Sequence, residues 1–201
     1  MPVFTKKPSR AKLIAAIMAR DEQLIADALR ALESSYGKVE SSSRAFPFKY
    51  SDYYKREMGD SLLKMFCSFA MLIEPDEIVD LKLKAVEVEK QFPAEMPHSV
   101  ATPHPASGSP TGVATRTVNI DPGYLDRMKL VLATTKDCPH RIYLGRGIYG
   151  DLELIYRSGS FASLDWSYLD YREPFTIEFF NTVRNRYLAE LRDERRKNGT
   201  A

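Results

Sequence analysis

Cysteine is nearly absent: Cys67 and Cys138 are the two thiols in 201 residues. Two thiols build no disulfide framework, and a reducing cytoplasm is the simplest setting for them. Nor does any apolar run approach the roughly 20 residues a membrane-spanning helix requires. "KKPSRAK" followed by "LIAAIMA" resembles a basic leader with a short apolar centre. That run stands at the lower length limit and leads directly into an amphipathic helix, so a buried first strand is the better reading. An excess of one charge is missing too. The 29 Lys and Arg nearly balance 27 Asp and Glu, and a net charge of +2 makes no case for nucleic acid by itself.

Metal and nucleotide motifs are equally scarce. There are 3 histidines. Cys138 and His140 are two apart with no second ligand pair at zinc spacing, so no metal site is expected. No G-x-x-x-x-G-K-[ST] loop occurs, and "TTKD" resembles the guanine-reading N-K-x-D only superficially. "LGRGIYGDLEL" does carry Gly145, Gly147 and Gly150 in the order G-x-G-x-x-G. A dinucleotide loop must open a helix, whereas "DLELIY" reads as strand. A kinase glycine loop would need V-A-I-K, H-R-D and D-F-G segments, which do not follow. The glycines are therefore predicted to serve a hairpin turn.

What is present describes a globular protein. The chain is 44% hydrophobic, 28% charged and 11% aromatic, with 11 Tyr and 10 Phe, too aromatic to be mainly disordered. Leu13 to Met18 reads as a buried strand. Asp21 and Glu22 then open a helix with Leu24, Ile25, Ala28, Leu29 and Leu32 on one face and Gly37 as its stop. Phe46, Phe48 and Tyr50 alternate around Pro47, as in an edge strand. Leu62, Phe66, Phe69 and Ile73 are spaced four, three and four, which predicts a core-facing helix that would place Cys67 in the core. Pro75 opens a further helix with Ile78, Leu81, Ala85, Val88 and Phe92 along its stripe.

Residues 93–115 hold Pro93, Pro97, Pro103, Pro105 and Pro110 out of 12 prolines and one charge, Glu95. Such a segment cannot offset its ordering entropy and reads as a flexible insertion, with His98 and His104 solvated inside it. Beyond it, "RTVNI", "KLVLATT", "RIYL", "DLELIY" and "FASLDW" form short β-rich runs separated by turns, a C-terminal meander. Pro174 opens the final helix, with Phe180, Val183, Tyr187 and Leu191 facing inward. The expected class is α+β: an antiparallel or mixed sheet with about four helices. The expected domain spans 11–192, interrupted at 93–115, with tails at 1–10 and 193–201.

"FPFKYSDYYKREMG", "VNIDPGYLDRMKLVLATTKDCPHRIYLGRGIYGDLELIY" and "WSYLDYR" together resemble a bacterial family, the domain-of-unknown-function family 4416. The resemblance covers about Leu13 to Tyr187 and implies no activity, cofactor or partner. Some members carry a GTP-binding label, for which this chain shows no motif. The family pattern includes Asp121 to Leu125, Thr135 to Asp137, His140 and Arg141, together with Tyr53, Tyr54, Glu57 to Gly59 and Asp170 to Arg172. Two departures stand out: alanine is frequent in the family where this chain has Gly150, and the proline-rich stretch before Arg116 is longer here.

The densest polar text is "ATTKDCPHRIYL", a predicted interstrand loop. Lys136 and Arg141 suit an anionic oxygen, Arg as a fork and Lys as a point charge. His140 titrates near neutrality, with Asp137 to orient it. Asp121 and Tyr124 flank the Pro-Gly of "DPGYL", read as a turn close to this loop. The leading expectation is a small anionic or phosphorylated ligand held by Lys136, Asp137, His140 and Arg141, with Asp121 and Tyr124 in support. The same residues suit plain structural duty, Asp137 in an Asx turn and His140 and Arg141 in strand hydrogen bonds. Whether chemistry follows binding is left open, as is the oligomeric state. One alternative is a nucleic-acid module. It would use Lys6, Lys7, Arg10, Lys12 and Arg20 with the basic residues of 184–197, and stacking by Tyr53, Tyr54, Tyr143 and Tyr149. A protein-interaction domain is another.

Overall fold

The computed structural model describes residues 7–50, 58, 61–93 and 116–199. Its centre is the apolar run read as the first strand, β1 (Ala11–Ala19), every residue of which is buried. A strand buried on both sides must serve two cores, and β1 does so by alternation. Leu13, Ala15, Ile17 and Ala19 enter one cluster, while Ile14 and Ala16 enter another. Helix α1 (Glu22–Tyr36) packs on the first face. Asp21 caps it by accepting from the Leu24 N–H at 2.8 Å, and Gly37 ends it at φ 76°.

The chain then lays down β2 (Val39–Ser42), β3 (Phe46–Pro47) and β4 (Leu63–Ile73). A single 3-10 turn, Pro75–Glu77, leads into α2 (Ile78–Glu89), which joins α1 on the first face; the Tyr36 hydroxyl ties the two by donating to the Leu81 carbonyl at 2.7 Å. After it come β5 (Val118–Leu125), β6 (Lys129–Thr134), β7 (Ile142–Gly145), β8 (Ile148–Arg157) and β9 (Ser160–Ser163). A 3-10 turn at Leu169–Arg172 precedes α3 (Pro174–Asn198), which sets Phe180, Val183, Tyr187 and Leu191 on the second face.

The strands form one open sheet, β2-β4-β1-β5-β6-β8-β7, with β3 paired to β4 and β9 to β8. Every described pairing is antiparallel. The α+β class stands, in three layers: α1 and α2, the sheet, then α3.

Three helices are described rather than about four, because Leu63–Ile73 is strand β4 and not a helix. The reason is physical. β4 is buried on both faces, so Phe66 enters the second core while Cys67, Phe69 and Ile73 enter the first. A strand apolar on both sides offers residues at helical spacing by default. Cys67 is still in the core, its thiol pushed up to about 12 by burial.

The Pro-Gly of "DPGYL" is also no turn. Pro122 and Gly123 lie inside β5, paired along its length to β1. The β7–β8 connection is a two-residue hairpin, with Arg146 at φ 54° and Gly147 at φ 78°, the left-handed pair that such a turn requires. Helix α3 runs through 193–198, which the sequence reading gave to a tail. The proline-rich segment, with His98 and His104, lies outside the described residues, as do Tyr53, Tyr54, Glu57 and Gly59.

Candidate functional site

The position of the site follows from Pro122. β5 pairs with β6 only from Gly123 to Leu125, opposite Leu132 to Leu130. Alternate residues of a strand send their N–H and C=O to the same side. Ile120 and Pro122 therefore both face β6, and proline has no N–H to give. The ladder stops there and the strands part.

Two charged side chains of α2 take up the abandoned backbone. Lys82 Nζ donates to the Ile120 carbonyl at 2.7 Å, and Glu89 accepts from the Ile120 N–H at 2.6 Å. Both residues are buried. Their spacing from Ile78 (four, then seven to Glu89) puts them on the apolar stripe of the helix, where a charge has no business unless it has a partner. That pattern was the available signal for Lys82 and Glu89, and the sequence reading passed over it.

The parted strands leave a narrow cleft of about 40 Å³, lined by Lys82, Arg116, Asn119 and Asp121 on one side and Thr134, Thr135, Lys136 and Tyr168 on the other. Asp121 accepts from Lys82 at 3.1 Å and from the Asn119 amide at 2.7 Å. Burial alone would raise its carboxyl, but the Lys82 and Lys64 charges and these hydrogen bonds win, lowering it to about 2. Arg116 pairs with Glu89 behind the cleft. Lys82, Arg116 and Lys136 thus stand beside two carboxylates, Asp121, whose two oxygens are already engaged, and Glu89 behind the cleft.

Lys136 and Asp121 meet in this cleft; the other expected residues do not all join them. Arg141 and His140 converge instead on Asp151 of β8. The Arg141 guanidinium donates Nε to Asp151 at 2.7 Å, one terminal nitrogen to the Lys136 carbonyl at 2.9 Å and the other to the Tyr168 hydroxyl at 2.7 Å. Its side chain is almost fully buried. Arg141 is therefore a brace that holds the Lys136 backbone and Tyr168 at the cleft wall. His140 Nε2 stands 3.6 Å from the other Asp151 oxygen, and its ring stacks on Trp166. Asp137 is exposed on the loop. Tyr124, three residues from Asp121, points to the opposite face and packs against the first core.

Beneath Tyr168 lies a second polar group that the sequence reading did not single out. Lys64 pairs with Asp170 at 2.5 Å, both buried, under rings of Phe48, Phe66 and Tyr171. Glu153 is fully buried. It is the extra residue of a bulge in β8, since Leu130 and Val131 oppose Leu154 and Leu152. One of its oxygens accepts from the Tyr168 N–H at 3.0 Å; the other has no hydrogen-bond partner among the described residues. Burial, then the nearby Asp151 charge, pushes this carboxyl up to about 8. A carboxyl at about 8 holds its proton for the most part at pH 7.

A family match covers nearly the whole of this architecture. The profile of DUF4416, a domain of unknown function, matches residues 9–187. The chain belongs to that family. No curated protein and no solved structure matches it. No group of three or more metal-ligating side chains occurs among the described residues of this DUF4416 chain, and no described helix is long and apolar enough to cross a membrane.

Proposed function

We propose that this DUF4416 protein binds a small anion in the cleft between β5 and β6. The observation that carries the reading is the cleft's lining: Lys82, Arg116 and Lys136 against Asp121 and the Glu89 that pairs with Arg116, with Asn119, Thr134 and Thr135 as neutral polar groups. An anionic oxygen there gains charge-assisted hydrogen bonds in a partly desolvated setting. The space of about 40 Å³ exceeds the roughly 10–15 Å³ that one water needs and is far below the roughly 300–1,000 Å³ of a pocket for a whole drug-sized ligand, so it takes a head group rather than a whole metabolite. Of the six residues expected from the sequence, Lys136 and Asp121 are the two that line the proposed site. Arg141, His140 and Tyr168 act by positioning the loop.

The basic ends support nucleic acid less well. Lys12 is buried between Glu40 and Glu190, Arg10 pairs with Glu194 and Lys7 with Glu74. Thermal denaturation of the full chain with inorganic phosphate, sulfate or acetate tests the proposal. A ligand at about 100 times its dissociation constant stabilises by about 2.7 kcal/mol. An upward shift of the midpoint that Lys136→Met and Arg116→Met abolish is the expected result. No shift with any of the three anions, or a shift that both variants retain, refutes it.

A further inference from the structure

On the second face of the sheet, an aromatic row leads away from the cleft. Thr134 in the cleft wall is the direct cross-strand partner of Tyr149, and Tyr149 that of Tyr143. Direct partners share a face. That face is the one carrying Asp151, two residues from Tyr149 and opposite Leu132 of the second core. Helix α3 packs its inward residues on Ile14, Ala16, Leu130 and Leu154, and the second core it builds includes neither Tyr143 nor Tyr149 among the described residues. Tyr143 is 60% exposed there, and its ring meets Tyr149 edge-on at 5.3 Å between centroids. Tyr168, which lines the cleft, is also 41% exposed.

Tyr143 and Tyr168 are exposed and Tyr149 is half-buried, so aromatic surface adjoins the polar cleft and offers a stacking partner to a ligand ring. From the proposed anion site we infer that the ligand is a planar aromatic ring carrying one anionic head, the head in the cleft and the ring laid over Tyr149. The spacing fits. Adjacent strands lie about 4.8 Å apart, so a ring bonded directly to a head group at Thr134 reaches the neighbouring strand and no further. The charge fits as well, since the row itself carries none and the cleft supplies the cations. A saturated ring of equal size gains the same area but not the stacking geometry.

This inference rests on the anion reading, and the test separates the two. Calorimetric titration of the full chain uses phenyl phosphate, cyclohexyl phosphate and inorganic phosphate, repeated with Tyr149→Leu and Tyr149→Phe. Phenyl phosphate is expected to bind about two- to twelvefold more tightly than cyclohexyl phosphate, the range stacking supplies beyond area burial. Tyr149→Leu erases that preference and leaves inorganic phosphate binding unchanged, while Tyr149→Phe keeps it. Equal binding of the two esters, or a preference that survives Tyr149→Leu, overturns the aromatic assignment and leaves the anion site standing. If none of the three phosphates binds, both fall together.

Discussion

Replacing Glu153 with glutamine separates a buried neutral acid from a buried charge. A carboxyl moved from 4.5 to about 8 by folding binds its proton more tightly in the folded state than in the unfolded chain. Stability from this group is then greatest below pH 4.5. It is lost progressively as the pH rises towards 8, and the loss is complete above that. The interval corresponds to about 5 kcal/mol, a large part of the 5–15 kcal/mol that holds a typical domain together. The Tyr168 N–H and the Lys64 charge favour the ionised form, but burial and the Asp151 and Asp170 charges outweigh them. Glutamine copies the shape of the protonated acid and still accepts from the Tyr168 N–H. Urea denaturation of both proteins from pH 5 to pH 9.5 reads the difference. At pH 5 the two should agree within about 1 kcal/mol. Towards pH 9 the wild type should fall behind Glu153→Gln by several kcal/mol. Parallel curves would show that Glu153 ionises freely, and would refute the reasoning.

Other substitutions probe the gap between the strands and the core. Lys82→Ala strands the Ile120 carbonyl and the Asp121 carboxylate, and should cost about 3–5 kcal/mol in urea denaturation. Asp121, held near 2, stabilises at neutral pH and gives up about 2 kcal/mol as the pH falls from 4 through 2; Asp121→Asn should flatten that acid limb. Phe66→Ala, in a fully buried ring cluster with Tyr171 and Phe180, should cost about 3–5 kcal/mol by calorimetry. Arg141→Ala removes the brace on Lys136 and Tyr168, and should weaken phosphate binding in the same titration while leaving Tyr168 folded over Glu153.

Local signals carried much of this fold. The Asp21 cap, the Gly37 stop, the apolar run of β1 and the positive-φ hairpin at Arg146 and Gly147 are each decided within a few residues, so they are legible in one dimension. β4 was not, because a strand that feeds two cores loses the alternation that marks a strand. The site was legible in half. Lys136 and Asp121 stood out as charges beside turn residues, and they do share a wall-to-wall cleft. Arg141 and His140 stood out equally, but their partner Asp151 lies on a strand beyond the glycine hairpin, and only the β6-β8-β7 order brings it beneath them. Lys82 comes from the far layer of the molecule. Its role depends on which backbone groups Pro122 leaves unladdered, and that requires the pairing of β5 on both sides.

The interrupted ladder has a mechanical consequence. β5 is stitched to β1 along its whole length but to β6 only from Gly123 to Leu125. The sheet is therefore two slabs joined by a short seam, one slab carrying β2, β3, β4, β1 and β5, the other β6, β8, β7 and β9. Lys82 and Glu89 act as rivets beside the stitches, but both are set in the first slab. The Val131 amide proton, which faces β5 across this seam, should consequently exchange sooner than those of Ile14 to Ile17.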